Sequence, residues 1–462
     1  MTDDSEAPDR KAGDAAGHRR AADAAYAELL GRVGEGTPRP RLEPTRRAVE
    51  LLGDVHRAAP VIHITGTNGK TSTSRMIESL LRATGLRTGL LTSPHLVRVT
   101  ERIVIDGEPV SDEAFARNWN EIQPYLLMVD AELAVDGEET LTFFEALTVL
   151  AFACFTDAPV DVVVLEVGMG GEWDSTNVAD GQVAVFTPIA LDHTQRLGST
   201  VAEIARTKAG IIKPAASVVT AIQPIEALDE LRAAAAQDEA GLAIERVDFA
   251  LESTTVAVGG QLVDIRGRAG RYPEVFLPLY GDHQAQNATV AVAAVESFLG
   301  DGSVALSPDV VAEGLGTATS PGRLQLVGTA PTVLVDAAHN PHGAAALAAA
   351  LQEYFDVDEF AIVLGVLADK DARGIVRELA VVASRVDVTE PPSERALPAE
   401  ELAEFVRDDV EPDDVLLHAS VADALDAARV WASRSPRRAV VVTGSIVLVG
   451  EVIARAADEG WK

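Results

Sequence analysis

The residues best suited to chemistry open one short stretch, Gly66-Thr67-Asn68-Gly69-Lys70-Thr71-Ser72. A glycine-rich turn that leads into a helix leaves backbone N–H groups unpaired and adds the positive end of the helix dipole, which makes an anion site. Lys70 supplies a mobile charge for outer phosphates, and Thr71 or Ser72 a hydroxyl beside a metal. The Walker pattern has its first glycine where this chain has Ile64, so the turn is a shortened variant, G-T-N-G-K-T.

Other candidates lie downstream. Glu166 ends the apolar run DVVVLEV and precedes Gly168, Gly170 and Gly171; a carboxylate there is the usual metal anchor opposite a phosphate turn. His193 follows the next apolar run in the same position, although a lone histidine is more often structural. By donor chemistry alone a Glu/His pair suits Mn²⁺ or Zn²⁺, because Mg²⁺ prefers oxygen. Ser93, before Pro94 and His95, reads on spacing as a turn residue. Lys208 lies in an otherwise apolar helical segment, either buried with a lowered amine pKa or snorkelling at the surface. Asp336-Ala337-Ala338-His339-Asn340-Pro341 ends a strand and caps a helix, with Asn340 at the cap and Pro341 at the first helical position. Asp369-Lys370-Asp371 is similarly placed.

Lysine usage sharpens this set. Of 39 basic residues only six are lysine: Lys11, Lys70, Lys208, Lys213, Lys370 and Lys462. The four away from the ends all fall in candidate site segments, where an ammonium serves as a compact phosphate ligand or a modifiable amine and a guanidinium does not.

The elements that must position these residues alternate. Val61–Thr65 reads as a buried strand, and Met76, Ile77, Leu80 and Leu81 mark one face of the helix after the turn. Strands are predicted at 88–92, 99–105, 161–167, 183–188 and 217–222, and helices at 112–126, 142–155, 201–212, 225–238 and 281–299. Thr142 and Glu145 form a capping-box pair. Between 249 and 279 the period changes to two, which predicts a β-hairpin insertion. The pattern breaks near Ser320-Pro321-Gly322-Arg323, and a second strand–helix series follows from Thr332. The expected organisation is a polar, disordered tail over 1–20, a P-loop domain over 21–319 and a smaller α/β domain over 323–462, each with a mostly parallel sheet.

The 462 residues exceed one ordinary core, and 47% hydrophobic content suffices for two. A net charge of −32 disfavours nucleic acid or an anionic membrane as partner. Cys154 is the only cysteine, and the apolar stretch 143–155 contains Glu145 and is too short to span a bilayer; a cytoplasmic protein is expected.

Taken in order, the blocks HITGTNGKTS (63–72), LTSPHLVRVTERI (91–103), FFEALT (143–148), LEVGMGGEWDSTNV (165–178), LDHTQRLGSTVAEIARTKAGIIKP (191–214), GDHQAQNA (281–288), SPGRLQ (320–325), DAAHNPHG (336–343) and LGVLADKD (364–371) resemble the folylpolyglutamate synthase / dihydrofolate synthase family of Mur-ligase-like, ATP-dependent amide ligases. The resemblance covers nearly the whole chain from about residue 40. It implies an N-terminal P-loop Mur-ligase-like ATPase domain and a smaller C-terminal Rossmann-like domain. It further implies that Gly66 to Ser72, with Asn287, Arg323, Asp336 and His339, bind ATP; that Ser93, Glu166 and His193 ligate two Mg²⁺ ions, a monovalent cation being admissible besides; and that Lys208 is carbamylated. Lys70, Lys208 and His193 would serve catalysis, and Ser93, Pro94 and His95 would hold the pterin end of a folate or dihydropteroate. The partners implied are ATP, L-glutamate and that acid, bound by a monomer. Three positions depart from the family's habit: Thr71 stands where a third glycine is common, Glu172 where a basic residue is common, and Ser320 where tryptophan is frequent. The rival readings are a ligase acting on UDP-linked muramyl substrates, a nucleotide-dependent switch without ligase activity, and a metal hydrolase using Glu166 and His193.

Overall fold

The computed structural model describes residues 7–34 and 39–461. Two α/β layers account for most of it. In the first, unbroken β-branched runs give strands buried on both faces, as parallel strands between helices must be. Its eight strands run, edge to edge, Glu108–Pro109, Ile103–Ile105, Thr88–Leu91, Val162–Glu166, Val61–Thr65, Gly181–Phe186, Ser217–Thr220 and Gly241–Ile244. The first two of these pairings are antiparallel and the other five parallel. Val61–Thr65 lies between Val162–Glu166 and Gly181–Phe186, so the phosphate turn and the residues after Glu166 leave the same carboxyl edge side by side. The helix Lys70–Ala83 packs its Met76, Ile77, Leu80 and Leu81 face into the core beneath them.

The second layer is a six-stranded sheet in the order Gln325–Thr329, Thr332–Val335, Arg438–Thr443, Glu359–Leu364, Ala383–Val388 and Val415–Leu417. Only the Gln325–Thr329 edge runs antiparallel. Its carboxyl edge delivers Asp336 to Asn340 and the Asp369–Asp371 loop toward the first sheet.

Several elements differ from the sequence-based expectation. Residues 1–6 lie outside the described residues, but residues 7–20 of the expected tail belong to a helix that runs from Ala7 to Leu30. The segment is alanine-rich beyond Pro8, which favours helix, and Ala22, Ala25 and Leu29 bury in the cluster that holds Trp119 and Phe143. Val99–Arg102 forms a 3₁₀ turn before the short strand Ile103–Ile105, because the Glu101 carboxylate folds back onto three amides of the preceding loop. The helix predicted to end near 126 continues to Val135 through Pro124. The expected hairpin is a three-stranded antiparallel sheet, Ala250–Ala257, Gly260–Arg266 and Arg271–Leu277. The Thr142/Glu145 capping box forms as read. Among the described residues no helix is long and apolar enough to cross a membrane.

Candidate active site

The turn Gly66–Gly69 leaves a central strand and enters the helix at Lys70, with Gly69 as the cap at φ +86°. A side chain is excluded there twice over: the backbone is left-handed, and a Cβ would sit 2.5 Å from Asn287 Oδ1. Asn287, on the helix Asp282–Gly300, therefore abuts the turn. Thr67 ties the turn to the next strand's exit, its N–H donating to Pro188 O at 2.9 Å and its hydroxyl to Ala190 O at 3.0 Å. Lys70 Nζ folds back to Gly66 O and Thr67 O at 3.1 and 3.2 Å, a looped posture over a turn of the size that cradles phosphate.

Glu166 is 1% exposed at the tip of its strand. It accepts from Thr71 Oγ1 at 2.8 Å and from the Ser93 N–H at 3.3 Å. Burial pushes its carboxyl above the usual range, and the Lys70 charge and these two bonds oppose that. Thr71, the departure from glycine, is thus a direct partner of the predicted metal anchor. Ser93 begins a loop with a cis Ser93–Pro94 bond. His95 is held by Arg102 Nε, which donates to Nδ1 at 2.8 Å, and stands edge-on to Tyr26.

Lys208 is 3% exposed, and its Nζ donates to Gly66 O at 2.7 Å. Of the two readings left open by its helical spacing, the buried one holds. Burial, with Lys70 adding to it, lowers its amine pKa well below the ordinary lysine value. His193 is strained at φ +50° and follows Asp192, whose carboxylate meets His193 Nε2 at 3.9 Å, His339 Nε2 at 4.0 Å and Lys370 Nζ at 3.0 Å. Burial and the Lys370 charge hold both imidazoles neutral, each lowered to about 4.

The two halves meet at this point. Asn340, which caps its own helix as predicted, also donates to Asn68 Oδ1 at 2.9 Å, and Asn68 Nδ2 faces His342 Nδ1 at 3.1 Å. Ser320, the other departure, places its hydroxyl 2.9 Å from that of Ser72. Asp336 is 6% exposed and accepts from the Leu324 and Ala338 amides, both at 2.8 Å, beside the charge of Arg323. Leu96 packs against Gly322 and Val449 across the same cleft. Asp192 and His342 were not singled out in the sequence, Asn340 was read there as a helix cap, and Lys370 only as part of a candidate segment. Lysine scarcity and the loop's place after a strand were the signals that pointed to Lys370.

The Glu166 carboxylate with the Thr71 hydroxyl on it, and the Ser93 backbone at its other oxygen, suits a hard cation such as Mg²⁺. Neutral His193 offers a nitrogen at the neighbouring strand exit. Among the described residues there is no cluster of three His, Cys, Asp or Glu side chains that could hold a metal ion by themselves.

Strand, phosphate turn, helix and an acidic strand tip, facing a second α/β layer, are the parts of an ATP-dependent ligase. The Mur ligase middle domain matches residues 64–295, and the glutamate ligase domain of Mur ligases matches residues 322–446. A dihydrofolate synthase/folylpolyglutamate synthase of Mycobacterium tuberculosis is 42% identical over 438 residues, covering 89% of this chain and 90% of that protein. The M. tuberculosis folylpolyglutamate synthase solved with ADP superposes with a TM-score of 0.91 at 41% identity, over 95% of this chain and 99% of that one. The Escherichia coli protein FolC, solved with DHPP and ADP, superposes at 0.82 with 32% identity, over 95% and 98% of the two chains. The chain belongs to the dihydrofolate synthase/folylpolyglutamate synthase family of Mur ligases.

Proposed function

We propose that this chain joins L-glutamate to a folate, and to dihydropteroate, at the expense of ATP. The observation that carries the reading is the meeting at one cleft of the phosphate turn, the Glu166 tip and the second domain's Asn340–His342 segment. The turn and Lys70 hold the triphosphate. Its γ-phosphoryl passes to a carboxylate of the acid, so that ADP leaves and an acyl phosphate forms. The glutamate amine attacks the acyl carbon, the C–O bond to phosphate breaks, and the amine gives up a proton. Closure of the second domain over the cleft keeps water from the acyl phosphate.

Glu166, Ser93, Thr71 and His193 are the residues that would hold Mg²⁺, two ions in all. Bound there, Mg²⁺ neutralises charge on the phosphoryl group in transfer. Lys208, buried and with its amine pKa lowered by that burial and by Lys70, would be carbamylated and thereby turned into an anionic group beside Gly66. Asn287, Arg323, Asp336 and His339 surround the nucleotide, and the Ser93-Pro94-His95 loop receives the pterin-bearing acid. A cytoplasmic monomer is the state expected of such a ligase, and the single, buried Cys154 fits a reducing compartment.

The test is ADP release with dihydropteroate, with tetrahydrofolate or with a UDP-muramyl peptide, each with and without L-glutamate. Turnover that requires glutamate and either folate acid supports the reading. Turnover confined to the UDP-muramyl substrate, or indifferent to glutamate, overturns it.

A further inference from the structure

Arg75 lies one turn beyond Thr71 in the helix Lys70–Ala83. Helical side chains lean toward the helix N-terminus, so its guanidinium is carried back toward the cleft. It faces three carboxylates, those of Glu166, Glu101 and Glu78. All three are occupied by other donors. Glu166 takes the Thr71 hydroxyl and the Ser93 amide. Glu101 takes the amides of Leu96, Val97 and Arg98 at 2.9, 3.1 and 2.7 Å. Glu78 takes Arg82 Nε at 3.1 Å and the Thr88 hydroxyl at 2.5 Å. Among the described residues, Arg75 Nε is buried and meets no acceptor. Other arginines of this chain behave differently: Arg41 holds Glu138 and Glu145, and Arg437 holds Asp356 and Asp358. A guanidinium is always charged, and withdrawing it from water without a partner costs free energy that a bound anion recovers.

The reaction offers three anions. The phosphates are served by the turn and Lys70, at the opposite end of the first helical turn. Arg75 lies instead on the side of Glu101, whose carboxylate holds the Leu96–Arg98 amides, and lines a small cavity with Glu78, Ser79, Arg82, Thr317 and Thr319. We propose that Arg75 receives a carboxylate of the acid substrate, the planar group that a guanidinium grips with two parallel N–H donors. This rests on the ligase reading above and adds to it a residue that selects and positions the acid.

The experiment compares the wild-type chain with Arg75→Gln and Arg75→Lys in two assays. The first is calorimetric titration of the ATP-free protein with dihydropteroate. The second is steady-state ADP release with each substrate varied in turn. The expected result is a loss of dihydropteroate affinity of roughly 10- to 100-fold in Arg75→Gln, the range for a charge-assisted contact. The KM for that acid rises in parallel, the KM for ATP and for glutamate stay unchanged, and Arg75→Lys recovers part of the loss. The thermal midpoint of ligand-free Arg75→Gln should equal or exceed that of wild type, since an unpartnered charge is removed. Unchanged dihydropteroate affinity, a selective rise in the KM for glutamate or ATP, or a lowered midpoint with uniformly reduced activity would each overturn the proposal. An active wild type with an unaffected Arg75→Gln sinks this inference alone; a wild type without glutamate-dependent turnover on any folate acid sinks the ligase reading beneath it.

Discussion

Lys370 of the second domain places its ammonium 3.0 Å from Asp192 of the first, with only 8% and 13% of the two side chains exposed. The pair spans the cleft next to His193 and His339, so it fixes how the halves sit when they are together.

Removing one partner leaves the other charge stranded in a site sheltered from water. Lys370→Ala is expected to destabilise the joined state by about 3–5 kcal/mol, seen as a lower thermal midpoint and a larger radius of gyration in solution scattering. Replacing both partners with apolar residues should restore most of the midpoint without restoring activity. Burial raises the Asp192 carboxyl, but the Lys370 charge, with His193 and His339, outweighs it and holds the group below the ordinary aspartate value. Its contribution is therefore complete above about pH 4 and lost as pH falls toward the lower folded value. Unfolding curves across that range should lose this slope in Asp192→Asn.

Glu166→Gln keeps the shape that meets Thr71 and Ser93 but removes the charge. Glutamate-dependent ADP release should fall by roughly 10²–10³-fold, and the Mg²⁺ concentration for half-maximal activity should rise. Normal turnover with normal Mg²⁺ dependence would exclude the anchor role.

On the proposed reading Lys208 takes up CO₂, and burial with the Lys70 charge, by lowering its amine pKa well below the ordinary lysine value, favours the uncharged amine that reacts. Activity should decline in CO₂-stripped buffer and return with bicarbonate, and Lys208→Arg should be inactive in both. The unfolded chain binds a proton on this amine that the folded chain does not, between the lowered folded pKa and the ordinary lysine value. Stability due to Lys208 therefore rises with pH through that window. A Lys208→Met variant should lack this rise in urea unfolding followed against pH.

Gly450 sits inside the helix Ile446–Asp458, and a Cβ there would lie 2.0 Å from Leu96 O. Alanine gains about 1 kcal/mol of helix propensity, but the obstacle is backbone and cannot rotate away, so overpacking should win by about 1–3 kcal/mol. Gly450→Ala is expected to lower the thermal midpoint and raise the KM for the acid substrate, with ATP binding unaffected.

What could be read from the sequence was local. The phosphate turn, the strand that Glu166 ends, the Thr142 and Asn340 caps and the second strand–helix series each declare themselves within a few residues, through apolar periodicity and cap chemistry. Lys208 needed the fold, because a lysine in an apolar helix is either buried or snorkelling until its neighbours are known. Asp192–Lys370 and Asn68–Asn340 are pairings of residues 178 and 272 positions apart, and no spacing rule reaches so far. Arg75 carries no signal of its own in the sequence; only the prior claims on its three acidic neighbours set it apart. Residues 7–20 of the Ala7–Leu30 helix read as a tail because they are polar and mixed in charge, and the alanines and leucine that bury lie beyond them.

The scarcity of lysine has a practical consequence. Lys208 and Lys370 are enclosed, and Lys70 and Lys213 spend their amines on backbone carbonyls; the other two lysines lie near the chain ends. Amine-directed reagents should therefore leave the middle of the joined molecule almost unmarked. Acylation of Lys370, followed by peptide mass analysis, then becomes a clock for how often the two halves part.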